Sequence, residues 1–340
     1  MNAHILACGL AGAAALALLA TSQFEPAGAS PPAPLPSIGP VPISSLPFSI
    51  TEPGTYFVTG DLVAPDGEYG IVVAAAGVTI DLGGFTLRGG DDSQIGVLAL
   101  SAENIVVRNG RLQSWEAAGI LVGVNGRIEH LSILACDDAI FGARSTTVED
   151  VHVAFATGRC IELAYGSIVR DSTIQASSGA ELGLSLDESC TAENVVVSGS
   201  MIGISCGRAC RVSSCSVSNC DDVGLVGESF AELLGVRALE CGRGLAVTDD
   251  CVVRDCMVTG ALGHAVEVLG ERNRVEGNSV TGCAGGIRVA GKHNLVVRNM
   301  VFDSGLDYAV APLNPTGPVL RDFSTIQSQH PQANFATPFF

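Results

Sequence analysis

Lysine is almost absent. The 340-residue chain holds one, Lys292, and only 18 Lys and Arg together against 35 Asp and Glu. The formal net charge is −17, which repels phosphate backbones and argues against nucleic acid as a partner. Aromatic residues make up 5% of the chain, so no aromatic platform for stacking bases or sugars is visible. Helix formers such as Lys and Gln are scarce. Beyond the N-terminal apolar run no segment is long and apolar enough to cross a bilayer. Cysteine is absent from the stretch between Cys8 and Cys136.

What is plentiful points one way. Gly (41 residues), Val and Ser suit short strands joined by tight turns. A small residue followed by alternating apolar residues returns as Gly119-Ile120-Leu121-Val122, Gly203-Ile204, Gly244-Leu245-Ala246-Val247 and Gly286-Ile287-Arg288-Val289. The first apolar residue of each phrase falls at Ile71, Val97, Ile120, Ile140, Ile161, Leu184, Ile204, Leu225, Leu245, Val266, Ile287 and Ala309. A period of about 21 residues in a β-rich chain marks a stacked solenoid. Within Gly244–Gly263, three short strands separated by bends describe one coil: Leu245-Ala246-Val247, Cys251-Val252-Val253-Arg254, and a third beginning at Met257-Val258. The pattern is that of a parallel β-helix of about twelve coils. No coil buries its apolar face alone, so neighbours must stack and both ends need caps.

The expected organisation has four parts. Residues 1–29 read as a cleaved secretory signal, with the apolar run Ile5–Ala20 and the cleavage signal Ala27-Gly28-Ala29. Residues 30–47 read as a Pro-rich linker, 48–312 as the solenoid, and 313–340 as a C-terminal capping tail. The chain is therefore expected to be secreted, periplasmic or on the cell envelope, with no membrane span after cleavage.

Phase turns distant residues into neighbours. Asn109, Asp150, Asp171, Asn194, Asp255 and Asn299 mark bends, where Asn and Asp tolerate left-handed backbone and stacked amides can form a ladder. Eleven cysteines, Cys136 to Cys283, recur at shared phases. Cys190 and Cys210, and Cys220 and Cys241, fall on adjacent coils about 4.8 Å apart, within disulfide range. Stacked buried thiols would satisfy the same pattern.

Chemistry is sparse. The outward positions of the repeated strand end in Glu267 and Arg288, 21 residues apart and so side by side. Glu267 would be a general base and Arg288 an oxyanion-stabilising cation; His264, three residues before Glu267, joins them as a catalytic candidate through its closeness to the pair, although a lone His is more often structural or solvated. A cross-strand ion pair is the simpler account. Asp137-Asp138 and Asp221-Asp222 each place two carboxylates on a turn. Such pairs serve as acid and base in glycoside cleavage or as Ca²⁺ ligands, and solvated turns carry them too. The two pairs are four coils apart, roughly 19 Å, too far for one active site. No cofactor is otherwise implied.

The chain resembles secreted bacterial right-handed β-helix repeat proteins of the pectate-lyase-like superfamily. The resemblance covers about 45–335. It rests on Ile50-Thr51-Glu52-Pro53-Gly54-Thr55-Tyr56-Phe57-Val58-Thr59, on Val78-Thr79-Ile80-Asp81-Leu82-Gly83-Gly84-Phe85-Thr86-Leu87, and on the late phrases Asn273-Arg274-Val275-Glu276-Gly277-Asn278 and Asn294-Leu295-Val296-Val297-Arg298-Asn299. It implies a right-handed coil, a groove along one parallel sheet, and a polysaccharide or envelope glycan as partner. The superfamily includes pectate lyases, polygalacturonases and alginate epimerases. Their motifs transfer poorly: where a polygalacturonase has Asp-Asp, Gly-His-Gly and Arg-Ile-Lys in nearby coils, this chain has Asp221-Asp222, Gly263-His264-Ala265 and Ile287-Arg288-Val289 at other spacings. The reading is a non-catalytic glycan- or envelope-binding solenoid. The alternatives are a polysaccharide lyase, hydrolase or epimerase, and a structural or adhesive envelope rod.

Overall fold

The computed structural model describes residues 39–321 and 330–336. The signal reading for 1–29 and the first part of the linker therefore lie outside the described residues. Every described element longer than a turn is a strand, and every pairing is parallel. Glycines, β-branched residues and regularly spaced bends leave no stretch with helical periodicity.

Two sheets form. One, here called the face sheet, contains thirteen strands in chain order, from Phe48–Ile50 to Tyr308–Val310. Each begins a coil, numbered 1 to 13. The other, the bent sheet, carries the remaining strands. In coil 10, Arg243–Val247 lies in the face sheet, while Val252–Arg254 and Met257–Thr259 lie in the bent sheet on either side of Asp255.

The register follows the repeat. Ile120 pairs with Ile140, Ile161 with Leu184, Leu225 with Leu245 and Val266 with Ile287. Two details differ from expectation. Among the described residues there are thirteen coils, because Phe48 already pairs with Ile71 and makes a first coil. In the last coil Ile287 pairs with Tyr308, and Ala309 pairs with Arg288, so the core position is one residue earlier than the repeat placed it. Tyr308 holds that position through its hydroxyl, which donates to Asn299 O (2.8 Å) and Phe335 O (3.0 Å).

Coil structure also reaches past both expected boundaries. Val41–Ile43, inside the stretch read as linker, pairs with Tyr56–Val58. In the tail, Val319–Leu320 pairs with Asn334–Phe335, and Phe335 pairs with Met300. The tail thus lays strands over the last coils and covers edges that would otherwise be open.

The interior is a single aliphatic cluster running through the coils. The lone tryptophan, Trp115, is fully buried and donates its indole N–H to Leu87 O (3.2 Å). The column Gly183, Gly203, Gly224 and Gly244 lies where a Cβ would strike core atoms: at Gly244 it would come within 2.3 Å of Ala265 O and 2.5 Å of Val258 Cγ1.

Three inward corner columns tie the coils. The first stacks Ser167, Cys190, Cys210, Ala231, Cys251, Asn273 and Asn294 through successive backbone hydrogen bonds. The second ends in Cys256, Asn278, Asn299 and Asn334. Asn278 N donates to Asn299 Oδ1 (3.0 Å), Asn299 N to Asn334 Oδ1 (2.9 Å), and Asn299 Nδ2 to Val275 O (3.0 Å). The third stacks Ser200, Cys220, Cys241, Ala261, Cys283 and Ser304. Asn299, read as a bend residue, is fully buried in the second column; the left-handed residue beside it is Arg298, at φ 59°. The eleven described cysteines are all buried thiols.

Candidate functional site

The face sheet presents the outward column foreseen from the repeat. Leu98, Leu121, Phe141, Glu162, Ser185, Ser205, Val226, Ala246, Glu267 and Arg288 pair in order. At its charged end, Glu267 is only 7% exposed. Arg288 Nη1 donates to Glu267 Oε1. Arg243, two coils before Arg288, donates through Nη1 to Glu267 Oε2 (3.2 Å) and through Nη2 to Asp222 Oδ1 (2.9 Å). The chain Asp222–Arg243–Glu267–Arg288 crosses four neighbouring strands. Each oxygen of Glu267 accepts from one arginine, which ties the carboxylate expected as the base into an ion-pair chain.

Arg243 escaped the sequence reading because it lies 24 residues before Glu267 and in a different column, next to Val223. His264 aligns with Gly285 on the following coil. Its Nδ1 is buried with no hydrogen-bond partner. Any Cβ at Gly285 would come within 2.3 Å of that nitrogen.

The two aspartate pairs stay apart, at the starts of coils 5 and 9. Asp137 Oδ1 accepts from Thr157 Oγ1 (2.7 Å), and Asp138 Oδ1 accepts from the Arg159 N–H (2.7 Å). Burial pushes the Asp138 carboxyl above the usual carboxylate range; the Arg159 N–H pulls against this. Asp222 belongs to the Arg243 chain, and Asp221 is exposed. Among the described residues no group of three or more His, Cys, Asp or Glu is arranged to hold a metal ion.

The concave surface lies elsewhere. It follows the bend of the other sheet, where one left-handed residue per coil turns the chain: Asn109, His130, Asp150, Asp171, Asn194 and Ser214, at φ between 50° and 60°. The outer faces of the flanking strands meet there in a groove. One stretch, of about 490 Å³, is lined by Asn109, Arg111, His130, Ser132, Asp150, His152, Asp171 and Thr173 among others. The next, of about 590 Å³, shares Asp171 and continues over Glu149, Arg170, Glu193, Asn194 and Ser214. Its polar groups are held in place: Asn194 Nδ2 donates to Asp171 Oδ1 (2.7 Å), and Arg170 Nη2 to Glu149 Oε2 (2.9 Å). The Arg170 guanidinium lowers the Glu149 carboxyl pKa. His130 Nε2 lies 3.9 Å from Asp150 Oδ2. Sequence reasoning placed Asp150, Asp171 and Asn194 at bends for turn chemistry alone and did not single out His130 or His152. Their shared phase was the available signal.

Residues 142–302 match the family model described as a right handed beta helix region. The chain is a right-handed parallel β-helix. No curated protein matches the sequence. Among solved structures, this β-helix is similar to a double mutant of the periplasmic alginate epimerase AlgG, with TM-score 0.51 and 9% identity over 88% of this chain and 77% of that one. It is also similar to the A-module of the Azotobacter vinelandii mannuronan C-5 epimerase AlgE6, with TM-score 0.46 and 11% identity over 84% and 91%. The catalytic domain of an α-1,3-glucanase in complex with nigerose aligns with TM-score 0.41 and 12% identity over 88% and 62%. At these identities the likeness is one of fold. Among the described residues no helix is long and apolar enough to cross a membrane.

Proposed function

We propose that this β-helix is an exported or envelope-associated protein that binds a polysaccharide along the bend groove without cleaving it. The observation that carries the reading is the groove itself. From coil 3 to coil 8 it offers Asn, Asp, His, Ser, Thr and Arg side chains at the regular spacing of the coils. A repeating row of donors and acceptors suits a repeating chain of sugar hydroxyls. Carbohydrate as the partner class agrees with the alginate named for one of the similar structures. The closed chain around Glu267 counts against catalysis on the face sheet, because a general base must reach its proton directly or through one water.

A second reading, a lyase, hydrolase or epimerase centred on the face sheet, draws support from His264, whose Nδ1 is buried and unpartnered. One experiment separates the two. Purified protein is titrated with neutral and uronic-acid polysaccharides, with and without Ca²⁺, and each polymer is then assayed for new chain ends and altered sugar configuration. Saturable binding weakened by His152→Ala, with the polymer unchanged, supports the binding reading. Turnover abolished by His264→Ala replaces it with the enzymatic one. Absence of binding to every polymer would favour an envelope rod with no glycan site.

A further inference from the structure

Eleven buried cysteines sit in this β-helix, yet only two pairs occupy consecutive places in one corner column. In the first column, Arg211 N donates to Cys190 O and Glu232 N to Cys210 O, so Cys190 and Cys210 are direct neighbours; Ala231 then separates Cys210 from Cys251. In the third column, Gly242 N donates to Cys220 O and Leu262 N to Cys241 O, so Cys220 and Cys241 are neighbours; Ala261 then separates Cys241 from Cys283. In the second column, Val236 stands between Cys215 and Cys256.

Neighbouring residues of a parallel ladder have Cα atoms about 4.8 Å apart, inside the span a disulfide accepts. The two thiols of each pair are oriented alike: Cys190 Sγ donates to Ala164 O (3.2 Å) and Cys210 Sγ to the matching Asp187 O (2.7 Å) one coil on, while Cys220 Sγ donates to Ser218 O (3.5 Å) and Cys241 Sγ to the matching Leu239 O (3.4 Å). The third-column pair also has room made for it. A Cβ at Gly203 would come within 2.8 Å of Cys220 Sγ, and one at Gly224 within 3.2 Å of Cys241 Sγ. Each sulfur fills the space that a missing side chain leaves.

We propose that Cys190–Cys210 and Cys220–Cys241 are two disulfide sites that tie coils 7, 8 and 9 together when the chain folds in an oxidising compartment. The first bond joins coil 7 to coil 8 at one corner, and the second joins coil 8 to coil 9 at another. The oxidant is a small-molecule or protein disulfide. A thiolate of the pair attacks one oxidant sulfur and releases one thiol. The second cysteine of the pair then attacks the mixed disulfide and releases the other thiol. The two protons lost by the cysteines end on the two released thiols, and the oxidant disulfide takes up the two electrons. All four sulfurs are about 1% exposed, so the exchange belongs to the stage at which the coils are being stacked.

The two thiols of a pair pull each other's pKa apart: Cys241 is lowered and Cys220 raised beside it. Cys190 is likewise lowered by Cys210. Burial drives Cys136, Cys215 and Cys256 up to about 11 and Cys160 up to about 12, and none of these has a cysteine at the same place in the next coil.

The test compares full-length protein made in the cytosol of an expression host with the same chain exported to its periplasm. Both are denatured without reductant and alkylated, and the labels are counted by intact mass. Counted over the eleven cysteines from Cys136 to Cys283, and so leaving aside Cys8 in the leader, export should lower the count by four, and peptide mapping should find the Cys190–Cys210 and Cys220–Cys241 links. Cys220→Ser should raise the exported count by one, since it frees Cys241 but removes its own thiol. Serine already occupies that column at Ser200 and Ser304, so the variant retains the coil. Equal counts over those eleven cysteines from both compartments, or links that involve Cys215, Cys251, Cys256 or Cys283, would overturn the proposal.

Discussion

Arg243 and Arg288 grip the two oxygens of one carboxylate, Glu267, from opposite sides along the solenoid axis. Glu267→Gln keeps the shape and loses the charge. Hydrogen bonds to charged groups contribute about 1.5–3 kcal/mol each, less where a partner is partly solvated, as both arginines are. The expected loss is about 1–3 kcal/mol, read as a lower urea midpoint, with polysaccharide binding unchanged. Binding that falls tenfold would move the functional surface back to the face sheet.

Asn299 joins three coils at once. Asn299→Ala strands the Asn278 N–H, at about 1–3 kcal/mol, and removes the side-chain donor to Val275 O. Hydrogen exchange should rise first in coils 11 to 13, because stability in a solenoid passes between neighbours. Uniform exchange along the whole chain would contradict this local account.

Gly244 faces a carbonyl rather than open space. Gly244→Ala should cost about 1–3 kcal/mol through overpacking against Ala265 O and Val258. Gly235→Ala meets nothing within 4 Å but inherits φ 61°, so its smaller penalty comes from backbone strain. A thermal-melt comparison of the two variants checks the order.

Acid should act on the charged rows in a defined direction. Arg272 lowers the pKa of Asp250, and Arg170 lowers that of Glu149. A depressed carboxyl contributes stability above its unfolded pKa and loses it as pH falls through the folded value. Asp138 is raised by burial, so its sign is opposite: its contribution favours the fold at low pH and fades as pH rises through the folded value. Asp138→Asn keeps the acceptor for the Arg159 N–H and should equal or exceed the parent in stability at neutral pH, with the advantage vanishing below the carboxylate range. Denaturation midpoints between about pH 3 and about pH 7 measure it, a window that brackets ordinary carboxyl values.

Periodicity made the coils legible because one core residue per turn cannot move without exposing its strand. It failed where other forces hold the position. Tyr308 replaces an aliphatic by anchoring its hydroxyl, and Phe48–Ile50 forms a coil before the repeat becomes regular. The Glu267–Arg288 neighbourhood was visible as a 21-residue spacing. Arg243 was not, since a long side chain can reach sideways into an adjacent column. The groove stayed hidden for a different reason. Asp150 and Asp171 are explained fully by the bends they make, and only the meeting of two outer strand faces turns those bends into a concave surface.

Asn334 supplies the last acceptor of the second column from 35 residues beyond Asn299, where earlier steps take 21 or 22. The final coils therefore close on a residue translated well after the coil it completes. A nascent chain can wind its early turns as they emerge, but the terminal turns wait with an open amide edge until the tail arrives. Timing at that end of the molecule is set by the tail, and a chain cut short before Asn334 would keep its earlier coils and lose the seal.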